Sequence, residues 1–385
     1  KHLKSLDLAG TNIYSLPDDI GELAENLTTL NLRGCQALAS LGENIGKLVN
    51  LKTLTLSGCK VLKELPEGFG NLIQLTALDL SDCERLERLS SDIGNLQVST
   101  LTLRGCKLLK AVPGSFGKLD KLTKLNFYDC AALESLPESI GNLTKVTEID
   151  VSQCTALTSL PASLGQLTGL KKLTMPRTGL TTLPAAISSL SALEELDVTG
   201  KEGTPGIRGV AADVFSGLTK LKKLNASNNS FSGDLSWLKN LSALQTLRLD
   251  GNQLSGQLDL SQFSPNLTDV YLSNNKLEGN LNGISTLTKV RNLYLEHNLL
   301  SGELPAELGN CSTLSYFYLS NNNITGTIPV EVAKMNLGYS GLKLNGNRMS
   351  GEIPAEVLSS AVWKKLYPET NIYPQQEGYG FSNVK

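Results

Sequence analysis

The chain has 385 residues, 40% hydrophobic but only 5% aromatic, with 35 glycines and a formal net charge of −2. So nearly neutral a chain supplies no basic field to draw in nucleic acid or anionic lipid, and no run approaches the roughly 18 apolar residues that a membrane-spanning helix needs. Length alone would allow two or three globular domains, but the small-residue composition points to one short pattern used repeatedly.

The chain opens Lys1-His2-Leu3, with no initiating Met and no signal-peptide pattern, and reads as excised from something longer. From there an L-x-x-L-x-L core recurs: Leu3-Leu6-Leu8, then Leu27-Leu30-Leu32, Leu51-Leu54-Leu56 and Leu75-Leu78-Leu80, each of the last two 24 residues after the one before. It continues through Val146-Ile149-Val151 to Leu193-Leu196-Val198, resumes at Leu221-Leu224 after a longer step, and closes at Leu342-Leu344. Leucines two apart on a short strand face one side of a pleated sheet. One repeat cannot bury that side alone, so stacked repeats must share a core. The expected fold is an α/β solenoid: a leucine-rich-repeat arc with a parallel concave β-sheet and about fifteen repeats.

Two dialects divide the chain. Residues 1–199 carry a Cys after the strand, followed by a turn such as Leu136-Pro137 and Ile140-Gly141-Asn142-Leu143; they resemble the repeats of plant intracellular immune receptors. Residues 221–358 carry motifs such as Met349-Ser350-Gly351-Glu352-Ile353-Pro354 and Leu308-Gly309-Asn310-Cys311-Ser312; they resemble the plant-specific repeats of receptor-kinase and receptor-like ectodomains. The expected organisation is a solenoid over 1–358, with an irregular junction at 200–220, and a C-terminal capping segment at 359–385. The junction, Gly200 to Ile207 with Pro205, reads as a slightly long repeat rather than a binding loop. The cap is drawn from Trp363, Tyr367, Tyr373 and Tyr379 with Pro368 and Pro374, because an open solenoid end must be sealed. Nothing comparable precedes Leu3, so a neighbour covering that end is a possible partner.

Six of the seven cysteines hold one repeat position: Cys35, Cys59, Cys83, Cys106, Cys130 and Cys154. Asparagine takes it over at Asn229, Asn252, Asn275, Asn298, Asn322 and Asn347. The cysteines read as a buried thiol ladder, since the paired spacing of a metal site is missing. With two histidines, His2 and His297, and none of the nucleophile, phosphate-loop or metalloprotease motifs, no catalytic residue, cofactor or metal is expected and the chain reads as non-enzymatic. Asp7, Asp79, Asp150 and Asp197, between core leucines, read as solvated face residues.

The concave face changes character along the chain. The column between the second and third leucines is small and polar early on, then becomes Arg248, Tyr271, Tyr294, Tyr318 and Lys343, with Tyr316, Asp250 and Glu296 in adjoining columns. Tyrosine and arginine dominate binding hot spots, so these eight residues are the candidate partner-binding set. The expected function is recognition of a polypeptide or glycoprotein, with no nucleic acid and no membrane insertion, as part of a larger receptor or assembly. The alternative is a structural subunit without a discrete soluble ligand. The thiols suit a reducing cytosol, but N-x-S/T sequons tip the expectation to an extracellular, secretory location, with the cytoplasm as the alternative. Of the sequons, Asn26, Asn142, Asn240, Asn266, Asn310 and Asn323 are glycosylation candidates, while a glycan on Asn225 would block the concave face.

Overall fold

The computed structural model describes residues 2–204, 206–366 and 368–383; Lys1, Pro205, Tyr367, Val384 and Lys385 lie outside the described residues. Two compact units divide the chain at Leu193 and Glu194. Each is a stack of leucine-rich repeats built on parallel strands of two or three residues, eight in the first unit, from Ser5–Asp7 to Lys172–Thr174, and seven in the second, from Glu195–Asp197 to Leu342–Lys343. Registers are strict: Leu6 pairs with Leu30, Leu30 with Leu54, and Leu247 with Val270. Each strand sends its central residue inward, where Leu30, Leu247 and Phe317 are fully buried. Burial of one such side chain contributes about 1.5–3 kcal/mol, and only the neighbouring repeats can provide it.

The opposite side of each repeat is a 3-10 turn, such as Gly114–Lys118, Glu138–Asn142 and Ala162–Gln166. Pro113, Pro137 and Pro161 stand just before these turns with φ near −70°, the angle proline already holds. The glycine of the I-G-x-L motif has a packing reason. A Cβ on Gly141 would lie 2.6 Å from the Ser163 carbonyl oxygen of the next turn, so adjacent turns stack closely only where that carbon is missing.

The slot after the strand ties each repeat to the one before. Every ladder thiol donates to a single carbonyl of the preceding repeat: Cys59 Sγ to Leu32 O at 3.2 Å, and Cys130 Sγ to Leu103 O at 3.1 Å. All six are buried and unpaired, in keeping with a thiol ladder. Asparagine does more. Asn298 Nδ2 donates to Leu272 O at 3.0 Å and Leu295 O at 3.1 Å, while its Oδ1 accepts from Leu277 N at 3.0 Å. The accepting atom anchors a second short strand, Lys276–Gly279, which pairs with Ser255–Leu258. Second strands recur at Ser230–Ser232, Ser301–Glu303 and Asn323–Thr325. In the cysteine repeats, the described residues hold only isolated bridges at that place, Ser15–Ser40 and Glu64–Arg88.

The long repeat early in the second unit holds a strand, Arg208–Val210, paired with Ser230–Ser232, and a one-turn helix, Ala211–Phe215. Ile207 is buried, its N–H donating to Asn229 Oδ1 at 2.8 Å. At the far end, Asn371 and Ile372 are buried and Leu344 N donates to Asn371 O at 2.6 Å. Gln375 takes the ladder position there: Nε2 donates to Leu344 O at 3.0 Å and to Ile372 O at 2.6 Å, and Oε1 accepts from Met349 N at 3.2 Å. Tyr373 packs edge-on against Phe381, whereas Tyr379 stays exposed.

Burial pushes the Cys59 and Cys154 thiols up to about 12, and Cys83, Cys106 and Cys130 rise for the same reason. Neutral buried thiols are poor nucleophiles. A thiol reagent should therefore leave the ladder unlabelled in native protein and label it fully after denaturation; rapid native labelling, or a mass deficit from disulfides, would contradict this. Asn298→Ala should cost more than Cys130→Ala. The first strands the buried Leu277 N–H at about 1–3 kcal/mol and takes one of two donors from each of the Leu272 and Leu295 carbonyls, which keep Asn275 Nδ2 and Asn322 Nδ2. The second removes one weak hydrogen bond. Urea unfolding of the two variants compares them directly.

Candidate functional site

The parallel register carries one column through five consecutive strands: Arg248 opposite Tyr271, Tyr271 opposite Tyr294, Tyr294 opposite Tyr318, and Tyr318 opposite Lys343. The side chains stack as the register dictates. Ring centroids are 4.7 Å apart for Tyr271 and Tyr294, edge to face, and 4.6 Å apart for Tyr294 and Tyr318, stacked. The Arg248 guanidinium lies 4.0 Å over the Tyr271 ring, and Lys343 Nζ lies 4.1 Å over that of Tyr318. Each cation sits against the electron-rich face of a ring, so the row is held at both ends. Tyr316 joins from the side, its ring 6.3 Å from Tyr318 and perpendicular to it. The structure thus brings together six of the eight predicted residues in one stack.

The other two, Asp250 and Glu296, lie along its margin. With Tyr271, Ser273, Asn274, Tyr294, His297 and Tyr318 they line a hollow of about 480 Å³. Ser227 Oγ donates to Asp250 Oδ1 at 2.7 Å, Ser273 Oγ donates to Glu296 Oε2, and Ser320 Oγ to Asn345 Oδ1 at 2.6 Å. Hydroxyls on alternate repeats therefore aim the acceptors. Among the described residues neither carboxylate has an ion-pair partner, whereas elsewhere Lys124 pairs with Glu148 at 2.8 Å and Lys223 with Glu195 at 2.7 Å. Ser273, Asn274 and His297 were not singled out from the sequence. Asn274 and His297 belong to a slot of left-handed backbone just before the ladder residue, with φ of 57° and 55°. Glycine fills the same slot at Gly34, Gly58 and Gly251, and that recurrence was the available signal.

A leucine-rich-repeat-region model covers residues 1–84, 67–176 and 129–278, and a leucine-rich-repeat model covers 289–311 and 313–335. The chain belongs to the leucine-rich-repeat family. Among solved structures, a leucine-rich-repeat protein of Leptospira interrogans is 26% identical with a TM-score of 0.66, covering 96% of this chain and 95% of its own. A TDR receptor is 27% identical with a TM-score of 0.62, over 92% of this chain and 66% of that one. The Arabidopsis receptor kinase HAESA, solved with the peptide hormone IDA and the co-receptor SERK1, is 25% identical with a TM-score of 0.53, over 95% and 77%. No curated protein matches the sequence.

In this leucine-rich-repeat chain the polar early column does a structural task. Asp79 and Asp150 each accept the N–H two residues on, from Ser81 and Ser152 at 2.9 Å, and Asn31, Asn126 and Asp197 do likewise. These side chains close the turn that ends the strand, so the face they present is partly occupied with its own backbone. The sequons separate by exposure. Asn142, Asn240 and Asn310 end 3-10 turns and are exposed. Asn26, Asn266 and Asn323 are half-buried; Asn266 Nδ2 donates to Ser242 O at 3.1 Å and its Oδ1 accepts from Lys289 at 2.8 Å. Asn225 lies in a main-sheet strand, its Oδ1 accepting from Ser227 N. Among the described residues no three His, Cys, Asp or Glu side chains are grouped to hold a metal, and no helix is long and apolar enough to cross a membrane.

Burial pushes the Tyr294 phenol up to about 12, helped by Tyr318, Tyr271 and Glu296; Tyr318 is raised too, also chiefly by burial. A raised phenol stabilises the folded state below its unfolded value near 10, and that contribution is lost as pH climbs through the folded value. Spectrophotometric titration of native protein should show late-ionising tyrosines between about pH 10 and 12, and Tyr294→Phe should remove the latest. A native profile indistinguishable from that of unfolded protein would contradict the packing of the row.

Proposed function

We propose that the chain is a non-enzymatic recognition module that receives an extended polypeptide, free or as part of a glycoprotein, across the tyrosine row on the concave face of its second unit. The observation that carries this reading is the row itself. Three rings are locked in register, clamped by two cations and flanked by a hollow whose two carboxylates have no ionic partner among the described residues. Rigid rings bury much area while losing little rotamer entropy, which is why such clusters become hot spots. Likeness to a receptor kinase solved with a peptide hormone supports a peptide as the partner class. The one histidine of the hollow, His297, meets Asn321 Nδ2 at 3.2 Å, and among the described residues no hydrogen bond joins it to a hydroxyl, which favours binding over chemistry.

An extracellular location is part of the same proposal, supported by the exposed sequons and the likeness to receptor ectodomains. Protein purified from its native source should carry glycans on Asn142, Asn240 and Asn310 and none on Asn225. Peptide mapping before and after enzymatic deglycosylation reads this out, and an unmodified chain would favour the cytoplasmic alternative.

The binding reading is tested with peptides selected from a random library on the wild-type chain. Tyr294→Ala with Tyr318→Ala should weaken them by about 1–3 kcal/mol per anchor, with thermal unfolding shifted only by the lost ring stacking, about 0.5–1.5 kcal/mol per pair. Lys124→Ala, in the first unit, should leave binding unchanged. Intact affinity in the tyrosine variant, with loss in the Lys124 variant, would move the site to the early repeats.

A further inference from the structure

The hollow beside the row holds negative charge that the chain leaves without a cationic partner. Asp250 and Glu296 lie two residues past strands two repeats apart, each held by one serine hydroxyl, and among the described residues neither meets a lysine or arginine. The nearby cations of the column are engaged elsewhere, Arg248 on the Tyr271 face and Lys343 on the Tyr318 face. Ring faces inside the row are likewise consumed by stacking, so the rings offer the hollow their edges and phenolic oxygens rather than a free π face.

We propose that this hollow seats an arginine side chain of the bound polypeptide, its guanidinium donating to the Asp250 and Glu296 carboxylates while its stem lies along the edges of Tyr271 and Tyr294. The reading rests on the tyrosine row being the binding surface and adds the chemistry of one partner residue. A planar guanidinium fits better than an ammonium. It presents five donors in a fixed fork, enough for two carboxylates and a phenolic oxygen at once, and it is weakly hydrated and keeps its charge at all working pH values. A volume of about 480 Å³ accommodates one such side chain together with part of the backbone that carries it.

The test uses two short capped peptides on the full chain, Ac-Gly-Arg-Gly-amide and its citrulline counterpart, which keeps the shape and loses the charge. Isothermal titration at low salt should find the arginine peptide at least ten times tighter, with the preference falling as salt is added. Asp250→Asn with Glu296→Gln should bring the arginine peptide down to the citrulline level, while Lys124→Ala should preserve the difference. Equal binding of the two peptides, no binding of either, or a preference that survives the double substitution would overturn the seat. Library peptides that depend on Tyr294 and Tyr318 yet show no arginine preference would overturn the seat alone. Loss of that tyrosine dependence would instead sink the wider reading.

Discussion

In most repeats one side chain, just past the strand, holds this structure in register. A leucine strand of three residues has too little of anything to fix its own position. Its hydrogen bonds run to neighbouring repeats and its buried face exists only because neighbours cover it. The ladder residue converts that mutual dependence into a defined step, because it reaches back to a buried carbonyl of the preceding repeat and adds a second donor there, as Cys59 Sγ joins Cys35 N on Leu32 O. Cysteine satisfies one such carbonyl. Asparagine satisfies two and also accepts an N–H, and at the end of the stack Gln375 repeats the asparagine pattern with a longer arm.

The two dialects follow from that difference in valence. Where the slot holds a thiol, the chain after it has turns and isolated bridges. Where it holds an amide, the accepted N–H starts a second strand, as Leu277 does within Lys276–Gly279. The amide repeats are therefore pinned at two places along each coil. They are also the repeats whose open face carries large side chains. A row of rings spaced 4.6–4.7 Å apart stacks only if successive strands keep register, so the ladder beneath Tyr271, Tyr294 and Tyr318 is what makes them a preformed surface.

Much of this was legible in the sequence for a physical reason. Side-chain direction in a strand alternates with period two, and a repeat fixes which strand lies beside which. Naming Leu30, Leu54 and Leu78 as core therefore also placed Tyr271, Tyr294 and Tyr318 in one column. Geometry within the column was less accessible. That Arg248 and Lys343 lie over ring faces, rather than reaching for Asp250 or Glu296, depends on rotamers that spacing does not encode. Aspartates in the early column looked like free surface because a turn closed by a side chain and a solvated carboxylate have the same sequence. Gln375 was missed because its segment abandons the leucine pattern and keeps only the hydrogen-bonding role.

The most direct measurement of the ladder's role is amide hydrogen exchange on Asn298→Cys, which replaces one dialect's rung with the other's inside an amide repeat. The Leu277 N–H should lose its protection together with the strand Lys276–Gly279, while the main-sheet strand Asn292–Tyr294 keeps its own. Unchanged protection at Leu277, or equal loss across both strands, would contradict the account.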